Sequence, residues 1–211
     1  MSTTSTLALS SNQITDLTPL ANMSNLQHLY LRNNQLKDIS KLENLELSTL
    51  YLSGNQIEDL SPLSDQNLNR LYIDYNKISD LQPLENINLT ELVANNNQIT
   101  DLTPIADMDF YSLKLGNQQV TLPAVQVETD KVSIENILFD KNNKPISPKE
   151  ISHDGTYNAK NNTINWTIIE SEEDRYFTFS VKIPMESKNA TFSGVIYQPI
   201  DNSIDTELTD K

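Results

Sequence analysis

The chain has 211 residues, and its 29 Asp and Glu residues against 15 Lys and Arg residues give it a formal net charge of -14. A pI near 4.4 argues against nucleic-acid binding, because phosphate recognition needs clustered Lys and Arg. No apolar run approaches the roughly 20 residues of a membrane helix, so we expect no direct membrane insertion. The chain has no Cys, which excludes disulfides, thiolate zinc sites and Cys nucleophiles.

Five similar segments follow one another in the first half of the chain: LALSSNQITDLTPL, LYLRNNQLKDISKL, LYLSGNQIEDLSPL, LYIDYNKISDLQPL and LVANNNQITDLTPI. One Asn marks each copy, at Asn12, Asn34, Asn55, Asn76 and Asn97, in steps of 22, 21, 21 and 21 residues. A partial sixth copy, LKLGNQQV, places Gln118 in the next Asn slot. The period and the L-x-L-x-x-N pattern resemble the leucine-rich repeat, a stack of short strands and turns.

The physical pattern of each copy supports this interpretation. Two aliphatic residues alternate with a polar one, as a strand with one buried face requires, and the Asn amide follows where unpaired backbone needs hydrogen bonds. Paired aliphatic residues further on predict a second buried layer: Leu17 and Leu20, Ile39 and Leu42, Leu60 and Leu63, Leu81 and Leu84, and Leu102 and Ile105. Pro19, Pro62, Pro83 and Pro104 lie between these pairs and favour short 3₁₀ turns, and Lys41 breaks the Pro pattern.

The N-Q-I-x-D-L/I-S/T-P-L form of the repeat resembles the internalin family of Gram-positive bacterial surface proteins. Asp16, Asp38, Asp59, Asp80 and Asp101 fill the Asp slot of that motif. The resemblance continues past the repeats, where ISHDGTY at 151–157, Trp166 and FSGVIYQP at 192–199 resemble the immunoglobulin-like domain that follows internalin repeats. The two resemblances together cover most of the chain.

The resemblance implies a leucine-rich-repeat solenoid, with a parallel β-sheet and short 3₁₀ turns, fused to an all-β immunoglobulin-like sandwich. We expect three parts: leucine-rich repeats at 1–118, the immunoglobulin-like domain at 119–200 and an acidic tail at 201–211. Alternating segments in the second part, such as VSIENILF, TINWTII, RYFTFSVKI and ATFSGVIY, favour a sandwich independently. We expect Trp166, with Phe177, Phe179 and Phe192, in its core, and strand continuity at 115–120 predicts one rigid rod.

The resemblance also implies a secreted protein or a protein of the cell wall or surface of a Gram-positive bacterium. The resemblance to internalins implies an exported protein with a signal peptide, a helical cap and a wall anchor. This sequence shows none of the three. We therefore expect this sequence to be a fragment or a variant that lacks the cap. In that case the first repeat would leave Leu7, Leu9, Ile14, Leu17 and Leu20 partly bare.

No constellation in the sequence predicts catalysis, a metal site or a cofactor site. His28 and His153 lie in different predicted domains and lack the spacing of metal ligands or of a triad. The four glycines form no phosphate-binding loop. The Asp residues of the repeats recur by register, as residues that stabilise turns would, and the acidic run ESEEDR at 170–175 is typical of a solvated loop. We therefore expect a protein that is not an enzyme.

The remaining candidate for a functional site is the face of the sheet opposite the buried leucines. Its middle column holds Tyr30, Tyr51 and Tyr72, and the neighbouring positions hold charged and polar side chains. Tyr and Arg are enriched at the centres of protein interfaces. We therefore predict protein-binding contacts at eight residues: His28, Tyr30, Arg32, Tyr51, Arg70, Tyr72, Asp74 and Tyr75. The alternative is that the tyrosines only stabilise the sheet across its strands.

The sequence is compatible with two functions of different classes. The resemblance implies an adhesin that displays a concave protein-binding face, with a host-cell receptor as the leading partner. The alternative is a structural spacer, or a rod that binds the cell envelope without a host receptor. An acidic rod is a poor ligand for anionic wall polymers, which disfavours the wall-polymer form of the alternative.

Overall fold

The computed structural model describes residues 4–64, 66–126, 130–167, 174–185 and 189–201. The acidic tail beyond residue 201 and most of the acidic run at 170–175 lie outside the described residues. The repeats supply one parallel strand each, and the strands are β1 Thr6–Ala8, β2 His28–Tyr30, β3 Thr49–Tyr51, β4 Arg70–Tyr72, β5 Glu91–Val93 and β6 Ser112–Thr121. The predicted leucine-rich-repeat arrangement, a parallel sheet with short 3₁₀ turns, is confirmed.

The six strands pair in one constant register. Leu29 lies opposite Leu50, and Leu50 lies opposite Leu71, and the corresponding leucines of the other repeats lie opposite each other in the same way. Because side chains alternate between the two faces of a strand, the constant register places all these leucines on the buried face. Leu29, Leu50 and Leu71 are fully buried.

Each of the first five repeats turns back through one 3₁₀ helix. The helices span Thr18–Leu20, Ser40–Leu42, Ser61–Leu63, Gln82–Leu84 and Thr103–Ile105. The Asp slot stabilises them as predicted: for example, the Asp38 carboxylate accepts the Ser40 N–H at 2.7 Å, and Asp59 accepts the Ser61 N–H at 2.7 Å. The aliphatic pairs at the helices form the predicted second buried layer.

The recurring amide side chains bind consecutive repeats together. Asn97 donates to the carbonyl oxygens of Ile73 and Ala94 at 3.0 and 3.2 Å, and its own carbonyl accepts the Ile78 N–H at 3.0 Å. Gln118 makes the same set of bonds one repeat later. Each amide therefore satisfies backbone groups of its own repeat and of the preceding one, rather than bonding to the next amide in the column.

The first repeat is better covered than the sequence predicts. Leu7, Leu9 and Ile14 are half-buried, in line with the expectation of partly bare side chains. Leu17 and Leu20 are only 2% and 7% exposed, so the expectation was wrong for these two. Both residues belong to the continuous hydrophobic core that they share with the leucines of the following repeats.

Strand β6 is shared between the repeats and the C-terminal region. It pairs with β5 on one side and with β13, Ala190–Gln198, on the other. Gly194 lies opposite Gln118, and a side chain there would place its Cβ 2.2 Å from the Gln118 carbonyl oxygen. Only glycine allows this approach, so the parallel sheet of the repeats continues directly into the C-terminal strands.

The regular secondary structure of the C-terminal region, over its described residues, consists of β-strands. Beyond β13, the long sheet adds β12, Arg175–Ile183, and β9, Glu150–Ile151, while β8, Lys131–Glu135, β11, Thr163–Thr167, and β10, Thr156–Asn158, form a second sheet. Two short strands, β7 Val125–Gln126 and β14 Ile200–Asp201, pair with each other. The predicted core aromatics, Trp166, Phe177, Phe179 and Phe192, are all buried.

The segment VSIENILF was expected to be one strand, but β8 ends at Glu135. The next residue, Asn136, is fully buried, and its side chain donates to the Ile146 carbonyl and to the Asn162 side chain at 2.9 and 3.0 Å. Its own carbonyl accepts the Leu138 N–H at 3.3 Å. These bonds turn the chain out of the sheet before the apolar residues that follow.

Candidate protein-binding face

Three columns of side chains form the free side of the repeat sheet, which we call the open face. The middle column holds Ala8, Tyr30, Tyr51, Tyr72, Val93 and Lys114. One flanking column holds Thr6, His28, Thr49, Arg70, Glu91 and Ser112, and the other holds Ser10, Arg32, Ser53, Asp74, Asn95 and Gly116. The register of the leucines fixes all three columns, because a strand that buries one face must present the other.

The three tyrosines of the middle column stack on one another. The ring centres of Tyr30 and Tyr51 are 4.8 Å apart with an interplanar angle of 15°, and those of Tyr51 and Tyr72 are 4.1 Å apart at 10°. The rings therefore cover each other's faces, and all three side chains remain partly exposed. This arrangement supplies a stiff surface with polar ends, and it also links strands β2, β3 and β4.

Arg32 packs on this stack. Its guanidinium carbon lies 4.1 Å from the centre of the Tyr51 ring and 5.3 Å from that of Tyr72. A cation against aromatic rings is held by the ring quadrupole, so the otherwise flexible side chain is ordered while it remains exposed. The structure thus brings Arg32 and all three tyrosines of the middle column together.

A second group forms around Glu91, which the sequence did not single out. Its carboxylate accepts a hydrogen bond from the Tyr72 hydroxyl and lies 3.4 Å from the Arg70 Nε. Burial, followed by the hydrogen bond to Glu91, raises the pKa of Tyr72 above its ordinary value, so this hydroxyl keeps its proton. Glu91 could have been found by pairing it with Arg70, which occupies the same column one repeat earlier.

The other predicted residues lie on the same face or beside it. His28 is half-buried beside Thr49 in its column, and Asp74 accepts a hydrogen bond from the Ser53 hydroxyl at 3.1 Å. Tyr75 is 63% exposed and follows Asp74. Its φ of 56° lies in the left-handed region, where a bulky side chain is strained.

The open face carries a different charge from the rest of the chain. Its columns hold the cationic residues Arg32, Arg70 and Lys114 and the carboxylates of Asp74 and Glu91. The whole chain has almost two acidic residues for each basic one, with 29 Asp and Glu against 15 Lys and Arg. The open face is therefore a locally cationic surface on an acidic molecule.

Within the described ranges, no group of three or more His, Asp or Glu side chains is placed to hold a metal ion. In that part of the chain, no helix is long and apolar enough to span a membrane. An apolar cavity of about 400 Å³ lies where the last repeat meets the end of β12, lined by Ile105, Met108, Phe110 and Ile183 among others. It shares no lining residue with the eight predicted contacts.

Comparison with known families agrees with this architecture. The family model "Leucine Rich repeats (2 copies)" matches residues 5–44, 24–65, 45–86 and 66–107, and the model "LRR adjacent" matches residues 144–201. The chain belongs to the leucine-rich-repeat proteins and carries the region that adjoins such repeats. No curated protein matches it.

Three solved structures of Listeria monocytogenes proteins are similar to the chain. Internalin C2 is 44% identical over 51% of this chain and 50% of its own, with a TM-score of 0.45. The internalin InlF is 31% identical over 55% of this chain and 42% of its own, with a TM-score of 0.42. The functional domain of InlJ is 18% identical over 93% of this chain and 57% of its own, with a TM-score of 0.36. The chain is an internalin-like leucine-rich-repeat protein, and it spans about half the length of the solved relatives that it matches.

Proposed function

We propose that the protein is a surface-displayed or secreted adhesin of a Gram-positive bacterium that binds a host-cell protein through the open face of its repeats, which forms the concave side of the solenoid. The family membership supports a protein-interaction role in general. The observation that carries the specific proposal is the stack of Tyr30, Tyr51 and Tyr72 with Arg32 packed on it. Rigid aromatic residues lose little conformational entropy on binding, and both Tyr and Arg are enriched at interface centres.

The contact set that we propose is the one predicted from the sequence, extended by Glu91. Tyr30, Tyr51, Tyr72 and Arg32 form its centre. His28, Arg70, Asp74 and Tyr75 surround that centre, and Glu91 fixes Tyr72 and Arg70. The stack also stabilises the sheet, and the two roles are compatible because the rings pack through their faces while all three side chains remain partly exposed.

We further propose that residues 119–200 form an immunoglobulin-like sandwich that covers the last repeat and spaces the open face from the bacterial surface, with the repeats at 1–118 and an acidic tail at 201–211. The two sheets of this region and their buried aromatics support the proposal. Hydrogen exchange tests it, because the amides of β11 and β12 should be protected as one unit. Independent opening of the two sheets would contradict a shared core.

Binding of the labelled, purified protein to cultured epithelial cells and to Gram-positive wall fragments tests the main proposal. The variant with Tyr30, Tyr51 and Tyr72 all replaced by Ala should bind cells at least about tenfold more weakly, since residues at interface centres each contribute about 2 kcal/mol or more. Tyr176→Ala is the matched control, because Tyr176 is an exposed tyrosine of the C-terminal region.

A second variant separates binding from stability. Replacing the three tyrosines by Phe keeps the stacked rings and removes their hydroxyl groups, so the melting temperature should change less than in the Ala variant. Equal cell binding by the wild type and the Ala variant would exclude the tyrosine stack as the site. Binding to wall fragments alone would favour the alternative role as a spacer or envelope-binding rod.

A further inference from the structure

We infer that Arg32 is an oriented carboxylate-binding group, and that the protein partner of the open face presents the side chain of an Asp or Glu to it. The inference rests on the proposed protein-binding role and adds the chemistry of the partner. It is carried by the placement of the Arg32 side chain, by the lack of an ion-pair partner for it among the described residues, and by the charge of its surroundings.

The placement of Arg32 prepares it for a planar anion. The guanidinium lies 4.1 Å from the centre of the Tyr51 ring, and this contact orders the side chain before any partner arrives. The N–H donors of a guanidinium lie in its plane and form a fork that matches the two oxygens of a carboxylate. An ordered fork loses little further freedom on binding, which favours affinity.

Arg32 also differs from Arg70 in its ion pairing. Among the residues that the structure describes, no carboxylate lies within salt-bridge distance of Arg32, whereas Arg70 lies 3.4 Å from Glu91. The nearby Asp74 is held instead by the Ser53 hydroxyl. Arg32 is thus an exposed and ordered cation on a strongly acidic protein, and no carboxylate in the described part of the chain forms an ion pair with it.

The surroundings favour a protein carboxylate over a polyanion. A chain with a net charge of -14 repels nucleic acids and anionic polymers at long range. A single carboxylate on a protein surface meets a much weaker field, and the stacked tyrosines beside Arg32 provide contact area for its neighbours. The Arg32 guanidinium and the tyrosine edges together fit an acidic side chain flanked by apolar or aromatic ones.

The test measures binding of the complete protein to epithelial cells before and after the carboxylates of the cell surface are amidated with carbodiimide and glycinamide. On untreated cells Arg32→Gln should weaken binding at least about tenfold, because removal of one partner of a close charge pair is costly. Arg32→Lys should recover part of the loss, since Lys keeps the charge and lacks the planar fork. Lys37→Gln, which removes a charge outside the open face, should bind as the wild type does.

Binding to amidated cells shows whether the contribution of Arg32 depends on carboxylates. Amidation should weaken binding of the wild type and abolish the difference between the wild type and Arg32→Gln, whereas treatment of the cells with sialidase should leave that difference intact. If Arg32→Gln binds untreated cells like the wild type, or if amidation weakens both proteins equally, the inference fails while the proposed function stands. If sialidase removes the Arg32-dependent binding, the carboxylate belongs to a sugar and the inference is overturned.

If the wild type does not bind cells, the proposed function is contradicted. A measurement without cells still tests the inference in that case. The ¹⁵N-labelled protein is titrated with the blocked tripeptide Gly-Glu-Gly, with Gly-Gln-Gly as the control. A saturable shift of the Arg32 Nε–H resonance with the Glu peptide alone is the expected result. No shift, or equal shifts with both peptides, would overturn the inference.

Discussion

Tyr75 occupies a left-handed backbone position that recurs in every repeat. The corresponding residues of the other repeats also have positive φ values, and they are small or polar: Ser11, Asn33, Gly54, Asn96 and Asn117. Asn and Gly adopt this conformation at little cost, whereas a bulky side chain is strained there. The repeat therefore tolerates Tyr75 at an energetic cost, and burial offsets little of it because the side chain is 63% exposed.

We predict that Tyr75→Asn stabilises the fold by about 1 kcal/mol, the usual cost of a left-handed conformation for a residue with a bulky side chain. Urea unfolding measures the change, and Tyr75→Phe is the control, since it keeps both the ring and the strain. If Tyr75 is also a contact, Tyr75→Asn should bind cells more weakly even though it is more stable. A loss of stability in Tyr75→Asn would show that the ring supports the fold.

The amide column is the element that holds the repeats in register. Replacing Asn97 by Ala would leave the carbonyl oxygens of Ile73 and Ala94 and the Ile78 N–H without their present partner in a buried site. We expect a loss of about 3 kcal/mol in the free energy of unfolding, because buried unsatisfied groups are costly.

Asn12→Ala supplies the matched control for this substitution. Asn12 occupies the same column in the first repeat, but its bonds to the carbonyls of Leu9 and Ser10 are exposed to water. Water can replace these bonds, so the loss should be well under half of that for Asn97→Ala. Equal losses in the two variants would show that burial of the amide does not determine its contribution.

Asp16 and Asp38, which precede the first two 3₁₀ helices, give the fold a dependence on pH. Hydrogen bonds to the backbone and side chain of Ser40 lower the pKa of Asp38, and the corresponding bonds from Thr18, led by that of its side chain, lower the pKa of Asp16. A carboxyl whose pKa is lower in the folded state stabilises the fold above its unfolded pKa. That contribution is lost as the pH falls through the folded value.

We therefore expect the stability difference between the wild type and Asp38→Ala to be complete above about pH 5 and to shrink below about pH 4, given an unfolded pKa near 3.9. Urea unfolding at several pH values measures it, with Glu46→Ala as a control at an exposed carboxylate. If the stability difference between the wild type and Asp38→Ala grows as the pH falls, the lowered pKa of Asp38 does not stabilise the fold.

At the scale of the whole molecule, the approach of Gly194 to Gln118 decides whether the two parts of the chain unfold together. An added Cβ at Gly194 would meet the Gln118 backbone at 2.2 Å, whereas one at Gly116 would lie no nearer than 3.5 Å to any neighbour. We predict that Gly194→Ala destabilises the protein by about 2 kcal/mol or more through this overlap.

Gly116→Ala, at the same junction, is the control and should change stability little. Urea unfolding followed by tryptophan fluorescence, which reports on Trp166, and by circular dichroism should give coincident transitions for the wild type and separated ones for Gly194→Ala. Coincident transitions in both proteins would show that the pairing of β6 with β13 does not couple the two parts.

The repeats could be predicted from the sequence almost residue by residue, because one short period fixes the strand, the turn, the buried layers and the columns together. The C-terminal region was less predictable. The early end of β8 depends on the bond between Asn136 and Asn162, which are far apart in the chain and share no pattern. On the open face, the columns were predictable, but the contact of Arg32 with Tyr51 depends on side-chain direction, and Glu91 was not selected.

The constant register of the repeat strands has an evolutionary consequence. Duplication of one 21-residue unit would lengthen the open face by one strand spacing, about 4.8 Å, and leave β6 and its two partners untouched. Point substitutions at the three column positions would then alter the surface without disturbing the leucines behind it. Duplication can thus set the length of the recognition surface, and substitution can set its chemistry. A lineage can therefore change binding partners while it keeps one fold.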